Sequence, residues 1–445
     1  MKNGSTNALE NRDFSQLRRS LLAAIGGFAV MPGLALRALG QSRPALNLRA
    51  VDRMVRLKPD LPLSPVWALE AEGNSASLRF KQGEELQVSL INELPALSAW
   101  NWIGFDGLNA LEPLTVQKPL ASGGRTSFSL PLRQAGTFLI DARLLGDGKE
   151  RPSPVRPLIV EDANAASVDR DEVLLIEDWR LRADGRAIAP GTDPGDAITA
   201  YTVNGLPSLD IKLRLNERLR LRVINGCQRA PIGLKIENAD VRVMAIDSQP
   251  AEPFVARDGQ LVLAPGSRTD VFIDATQPGS TSALTLFDGS APRKIGQLMT
   301  TNDAARPAPL PSPAAFSSAH LPAQLDLKNA MRMDVQLDAK TPWIASAEFT
   351  TSAQPAFQAK RGRAVVIAIK NTAATPMVFR LHGHHFRLLD RLDDGWKPFW
   401  LDTLLLAAGQ TQRIAFLAEY SGQWLIEATG IDWSSPKLVR FYSVA

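Results

Sequence analysis

The chain has 445 residues, 45% hydrophobic and 22% charged, which excludes a single-core domain, a disordered chain and a fibrous repeat. Its formal net charge of +4 is concentrated in residues 1–40, where Lys2, Arg12, Arg18, Arg19 and Arg37 face only Glu10 and Asp13, so charge makes no case for nucleic-acid binding. One cysteine, Cys227, excludes an intramolecular disulfide, and 31 glycines with 31 prolines promise frequent turns and an all-β architecture.

Residues 12–22 read RDFSQLRRSLL. The arginine pair Arg18-Arg19 precedes an apolar run, Leu21 to Leu36, which is interrupted by Gly26, Gly27, Pro32 and Gly33. Ala38-Leu39-Gly40 then offers small residues before Gln41. This is the pattern of a bacterial export signal over residues 1–40, and the twin arginine points to the Tat route and the periplasm. The apolar run is shorter than the ~20 residues that span a bilayer, so no membrane span is expected once the signal is removed.

The rest of the chain repeats. LRFKQGEELQVSLIN, ending at Asn92, predicts a short strand, a turn at Gly83, and a strand whose Leu86, Val88 and Leu90 share one face. ASGGRTSFSLPLRQAGTFLI follows, with a glycine turn joining two strands. After a short polar stretch at 161–170, IKLRLNERLRLRVIN repeats the first phrase with its turn at Asn216 and its end at Asn225. There Leu219, Leu221 and Val223 take the buried face. LVLAPGSRTDVFID repeats the second phrase. Residues 301–329, rich in Pro, Ala and Ser, suit an extended linker. FQAKRGRAVVIAIKN, turning at Gly362 and ending at Asn371, and LLLAAGQTQRIAFLAEYSGQWLI make the third copy. Asn92 and Asn225 are 133 residues apart, and Asn225 and Asn371 are 146 apart. A spacing of that size is a whole domain, so the repeat predicts a triplicated β-sandwich over 45–162, 170–300 and 330–445.

Cys227, in VINGCQ, reads as a small buried apolar residue. Of the four histidines, His320 falls in the linker and is expected to face solvent, while His384 and His385 read as strand histidines with hydrogen-bond partners. No G-x-S-x-G, phosphate loop, dinucleotide fingerprint or H-E-x-x-H occurs.

Five phrases carry a family likeness: TVNG at 202–205, LRLRVING at 219–226, LVLAPGSRTDV at 261–271, RLHGHHF at 380–386 and SGQWLIEA at 421–428. Through them the chain resembles the multicopper oxidases over almost all of the sequence after residue 40. The resemblance implies three consecutive cupredoxin-like Greek-key β-sandwiches. It also implies four motifs that hold copper in the family through ten histidines and a cysteine. The first motif's ligand positions hold Asn101 and Ile103 around a kept Trp102 and Gly104. The second's hold Asp141 and Arg143, after Gly136-Thr137-Phe138. The third's hold Met377, Arg380 and His382. The fourth's hold Glu427, Ala428, Thr429, Trp433 and Leu438. Only His382 keeps a ligand type.

The expectation is therefore a chain with no cofactor and no catalytic residue, in which Asp141, Arg143, Arg380 and Glu427 form one buried ion-pair cluster in the old copper cavity. His382, with Asp141 and Glu427, is the residual metal candidate. The chain resembles the copper-free, Tat-exported type of the family that supports bacterial cell division, the SufI type. That implies periplasmic protein partners, of the division septum among others. A divergent oxidoreductase or metal-binding protein with a rebuilt site, and a scaffold or chaperone for a partner enzyme, are the alternatives. Among nine tryptophans, Trp100, Trp396, Trp400 and Trp433 lie near the former copper loops, as candidate anchors for a partner.

Overall fold

In each third of the chain, alternation of apolar and polar residues produces strands with one buried face, and turn residues set where they reverse. Gly83, Asn216 and Gly362, the three predicted turns, all adopt the left-handed conformation (φ 89°, 64° and 77°). The strands that follow them bury Leu86, Val88 and Leu90, then Leu219, Leu221 and Val223, then Val365, Ile367 and Ile369. The computed structural model describes residues 44–71, 78–149, 151–162, 167–317, 321–338, 342–389 and 396–445. The export-signal reading and His320 lie outside these residues.

Among the described residues six sheets form, two in each third. Residues 45–161 make two four-stranded sheets, residues 170–304 a six-stranded and a five-stranded sheet, and residues 331–444 a five-stranded and a six-stranded sheet. The same crossing recurs in each. Ala45–Val55 lies parallel to Glu85–Asn92, Arg170–Leu181 to Arg218–Asn225, and Met331–Leu337 to Arg363–Asn371. The antiparallel neighbour is then Arg125–Pro131, Arg268–Asp274 or Thr411–Ala418. Among the described residues the helical pieces are three single 3-10 turns. Each sandwich encloses its own core. Leu86, Leu130 and Phe138 belong to the first, Leu221, Val271 and Leu284 to the second, and Ile367, Phe379 and Trp424 to the third. Cys227 is in the second core, its thiol pushed up by burial and by nearby Asp178 and Glu177, which leaves it an inert apolar filler.

The three repeat-ending asparagines do the same work. All are fully buried. Asn92, Asn225 and Asn371 each accept the N–H two residues on, from Leu94, Cys227 and Ala373 at 2.9–3.1 Å. Each also donates through Nδ2 to two carbonyls of its own sandwich: Ala96 and Leu120, Ala230 and Leu263, or Thr375 and Leu406. An amide side chain satisfies three main-chain groups where the buried strand ends, which neither an apolar residue nor a carboxylate can do.

The last strand of the middle sandwich runs to Ala304, past the predicted boundary at 300. The segment after it is held to that sandwich. Arg306 pairs with Asp169, Arg218 donates to the Leu310 and Pro311 carbonyls, and Phe316 lies under Arg220.

Candidate functional site

The residues singled out by sequence meet where the three sandwiches join. Asn101–Ile103 pairs with Gly136–Asp141, which sets Asn101 beside Asp141. Met377–Leu381 pairs with Gly422–Gly430, which sets Arg380 beside Glu427. Register alone thus places the first and second motifs together and the third and fourth together.

His382 is the centre of the first cluster. Its Nδ1 is 2.8 Å from Glu112 Oε1 and its Nε2 is 2.7 Å from Glu427 Oε1. Both ring nitrogens face carboxylate oxygens, so both carry protons and the ring is an imidazolium. Burial works against that charge, but Glu112 and Glu427 overcome it and push the pKa up to about 10. Glu427 also accepts from Asn101 Nδ2 at 2.9 Å, pairs with Arg380 at 3.4 Å and faces Lys437 Nζ at 3.6 Å. Burial raises its carboxyl, yet Lys437, Arg380 and His382 together hold it well below the usual carboxylate range. Arg380 reaches on into the middle sandwich, donating to the Pro265 carbonyl at 2.9 Å. Gly266 permits this approach, since a Cβ there would lie 1.9 Å from Arg380 Nη2.

The predicted single cluster of Asp141, Arg143, Arg380 and Glu427 is not what forms. Arg143 turns away and pairs with Glu177 of the middle sandwich at 3.1 Å, also donating to the Ser153 and Gly226 carbonyls. Asp141 makes no ion pair with a described residue. It accepts the Arg143 N–H at 2.9 Å, a local turn that is closer at hand than any guanidinium. In a chain expected to hold no metal, His382 was only the residual candidate, with Asp141 and Glu427. Its partners are Glu112 and Glu427, not Asp141, and protonation leaves it no lone pair. Among the described residues no group of three or more His, Cys, Asp or Glu is arranged to hold a metal ion.

The other positions became packing. Met377, Ala428 and Leu438 lie in the third core, and Ile103 packs with Leu139, Val155 and Ile224. Thr429 lines a cavity of about 40 Å3 with Asp141, Arg143 and Lys437. A second cavity, of about 20 Å3, adjoins Asn101, Arg380 and His382. Each has room for little more than water. Trp433 is buried, with its indole N–H on the Ala189 carbonyl at 3.1 Å and Arg180 over its ring at 4.7 Å. Trp100 and Trp400 are buried too, so none of these three is an exposed anchor.

Two neighbours of His382 behave in opposite ways. His384 Nε2 accepts the Tyr420 N–H at 3.1 Å and its Nδ1 meets the Tyr442 hydroxyl at 2.7 Å, while burial drives its pKa down to about 4. It is neutral. His385 has Asp106 at 2.8 Å on Nδ1 and the Asp247 carbonyl at 2.7 Å on Nε2. Burial opposes its charge, but Asp106 prevails and the pKa rises to about 9. Close by, Arg268 of the middle sandwich forms a two-pronged pair with Asp402 of the third, at 2.7 and 3.1 Å. Asp147 of the first sandwich takes Arg229 of the second and the Lys437 N–H of the third.

Sequence reasoning missed Asp106, Glu112, Glu177, Arg268, Asp402 and Lys437. Asp106 and Glu112 closely follow the Asn101 motif, and Arg268 sits inside a family phrase, so proximity to motifs was the available signal. Glu177 and Asp402 carried none, because their partners Arg143 and Arg268 come from other sandwiches, whereas Lys437 meets Glu427 from the neighbouring strand of its own sandwich.

Two models of the multicopper oxidase family match residues 170–300 and 320–433, together more than half of the chain. Laccase-1 of Thanatephorus cucumeris is 26% identical over 245 residues, 49% of this chain and 42% of that protein. Laccase-5 of Arabidopsis thaliana is 32% identical over 102 residues, 21% of this chain and 17% of that protein. The aligned stretches thus span less than half the length of these curated relatives. Among solved structures, a multi-copper oxidase from Pseudomonas thermotolerans superposes with a TM-score of 0.76 at 24% identity, covering 90% of this chain and 99% of that one. A multicopper oxidase from the hyperthermophile Aquifex aeolicus gives 0.73 at 16%, covering 90% and 96%. With three sandwiches of one topology, motif frameworks meeting at their junction and both family models matched, the chain belongs to the multicopper oxidase family.

Proposed function

We propose that this chain is a non-catalytic, copper-free member of the family, exported to the periplasm by the Tat route, where it stabilises the cell-division machinery through protein–protein contacts. The observation that carries the proposal is His382 held as an imidazolium between Glu112 and Glu427. Copper at such a junction needs neutral imidazoles and a thiolate, each offering a lone pair. The positions that the resemblance assigns to ligands offer two guanidinium groups, an amide, carboxylates already paired or turned inward, and apolar side chains. The residues present do not fit copper. The export signal and the division role rest on the twin arginine and on the likeness to the SufI type.

Two measurements test this reading. The chain, purified after growth with copper, is expected to hold far less than one copper per molecule and to lack a thiolate charge-transfer band; stoichiometric copper would overturn it. A fluorescent fusion is expected at the division septum, and export is expected to fail when Arg18-Arg19 is changed to Lys-Lys. A diffuse periplasmic signal would remove the division role and leave a scaffold for another partner.

A further inference from the structure

The middle sandwich has a feature that the junction does not use. A groove of about 760 Å3 opens at its outer side, between the ends of its two sheets. That volume is within the range of ligand sites, roughly 300–1,000 Å3. Its rim is a crossover joining the outer strand of one sheet, Gln249–Val255, to that of the other, Gln260–Leu263. The crossover is conformationally fixed. Asp258 is left-handed (φ 54°), as is Asn238 opposite (φ 53°), and a Cβ at Gly259 would lie 2.3 Å from the Ile236 carbonyl oxygen.

Asp274 in the groove's lining pairs with Arg218, but six other polar side chains of the lining are left without partners. Lys235, Asn238, Asp240, Arg242, Asp258 and Gln260 make no side-chain hydrogen bond or ion pair with the described residues. In the same sandwich Arg218, Arg220, Arg222 and Arg268 are all ion-paired. Both signs of charge therefore stand free here.

The adjoining edge is unprotected. Among the described residues Gln260–Leu263 pairs only with Ile232–Ile236, so alternate main-chain N–H and C=O groups point outward. It carries no charge and no proline. Leu261 and Leu263 enter the core, whereas Val262 is 78% exposed, opposite Gly233, which has no side chain to cover it.

We propose that this groove and edge dock an extended segment of a partner polypeptide, which adds to Gln260–Leu263 as a further strand. The segment would place an apolar residue on Val262 and residues of both charges against Arg242, Lys235, Asp240 and Asp258. The main-chain groups favour a polypeptide over a sugar, since only a strand satisfies a row of them. The inference deepens the protein-contact role proposed above and rests on it.

The test uses the full-length chain and a phage-displayed library of random peptides, with selected peptides measured by titration and by amide hydrogen exchange. Enriched peptides are expected to combine apolar residues with both charges, to slow exchange at Gln260–Leu263, and to bind roughly tenfold or more weakly to V262K and to the R242E/D240R swap. Both changes are at exposed or half-buried positions, and circular dichroism confirms that each variant folds. Three results would overturn the inference: no enrichment above an unrelated protein, protection elsewhere on the chain, or binding unchanged in both variants. Oligosaccharides that compete without slowing exchange at the edge would assign the groove to a sugar and also overturn it. Copper content and septal localisation are read on separate samples, so failure of the groove leaves the copper-free reading standing, and the reverse.

Discussion

The junction of the three sandwiches and the groove of the middle one use charge in opposite ways. At the junction every guanidinium has a buried carboxylate or carbonyl beside it, and cavities shrink to about 20 and 40 Å3. At the groove Lys235, Asp240, Arg242 and Asp258 have no partner among the described residues, and the space is about 760 Å3. Paired buried charge fixes geometry and gives nothing to a ligand, while unpaired charge at a rim contributes little to stability and remains available to bind. Within one polypeptide the difference separates where the fold is held from where it can make contacts.

The sharpest way to break this contrast is to remove one junction carboxylate. Glu427→Ala leaves Arg380 and Lys437 buried without their carboxylate and His382 with Glu112 alone, and should cost ~3–5 kcal/mol in urea unfolding. A loss below ~1 kcal/mol would mean that water already screens the junction.

The next largest effect is a pH dependence. The folded pKa of His382, about 10, lies above the ordinary 6.5, so its contribution is fully present below pH 6.5 and fades as pH rises through 10. His385 acts in the same direction through about 9. His384, lowered to about 4, contributes above pH 6.5 and loses that as pH falls toward 4. Urea midpoints should thus fall on both sides of a neutral plateau, and His382→Gln should flatten the alkaline limb. An alkaline limb unchanged in that variant would place the titration elsewhere.

A packing change comes third. Gly383 is left-handed (φ 74°), and a Cβ there would lie 2.2 Å from the Trp424 ring. Gly383→Ala should destabilise by about 2–3 kcal/mol, read as a lower thermal midpoint. The smallest effect belongs to the groove, where Val262→Lys should shift stability by no more than about 0.5 kcal/mol. A larger shift there would show that the edge is part of the support and erase the contrast.

The sandwiches were legible because alternation and turn residues act locally. Leu86, Val88 and Leu90 announce a buried face, and Asn216 announces a left-handed turn, within a few positions. The residue types at the motif positions were legible for the same reason. Their partners were harder to read, since an ion pair depends on which side chain arrives from another strand or another sandwich. Arg143 had Asp141 two residues away and instead found Glu177 of the middle sandwich, with the Ser153 and Gly226 carbonyls beside it. The groove was invisible in sequence, for it consists of what Lys235, Arg242 and Val262 do not touch.

The three asparagines have a consequence for the order in which the molecule assembles. Each closes a loop using only main-chain groups of its own third, so each sandwich can complete its strand ends before meeting the others. The ion pairs joining the thirds need surfaces that exist only afterwards. Local closure therefore comes first and docking of finished bodies second.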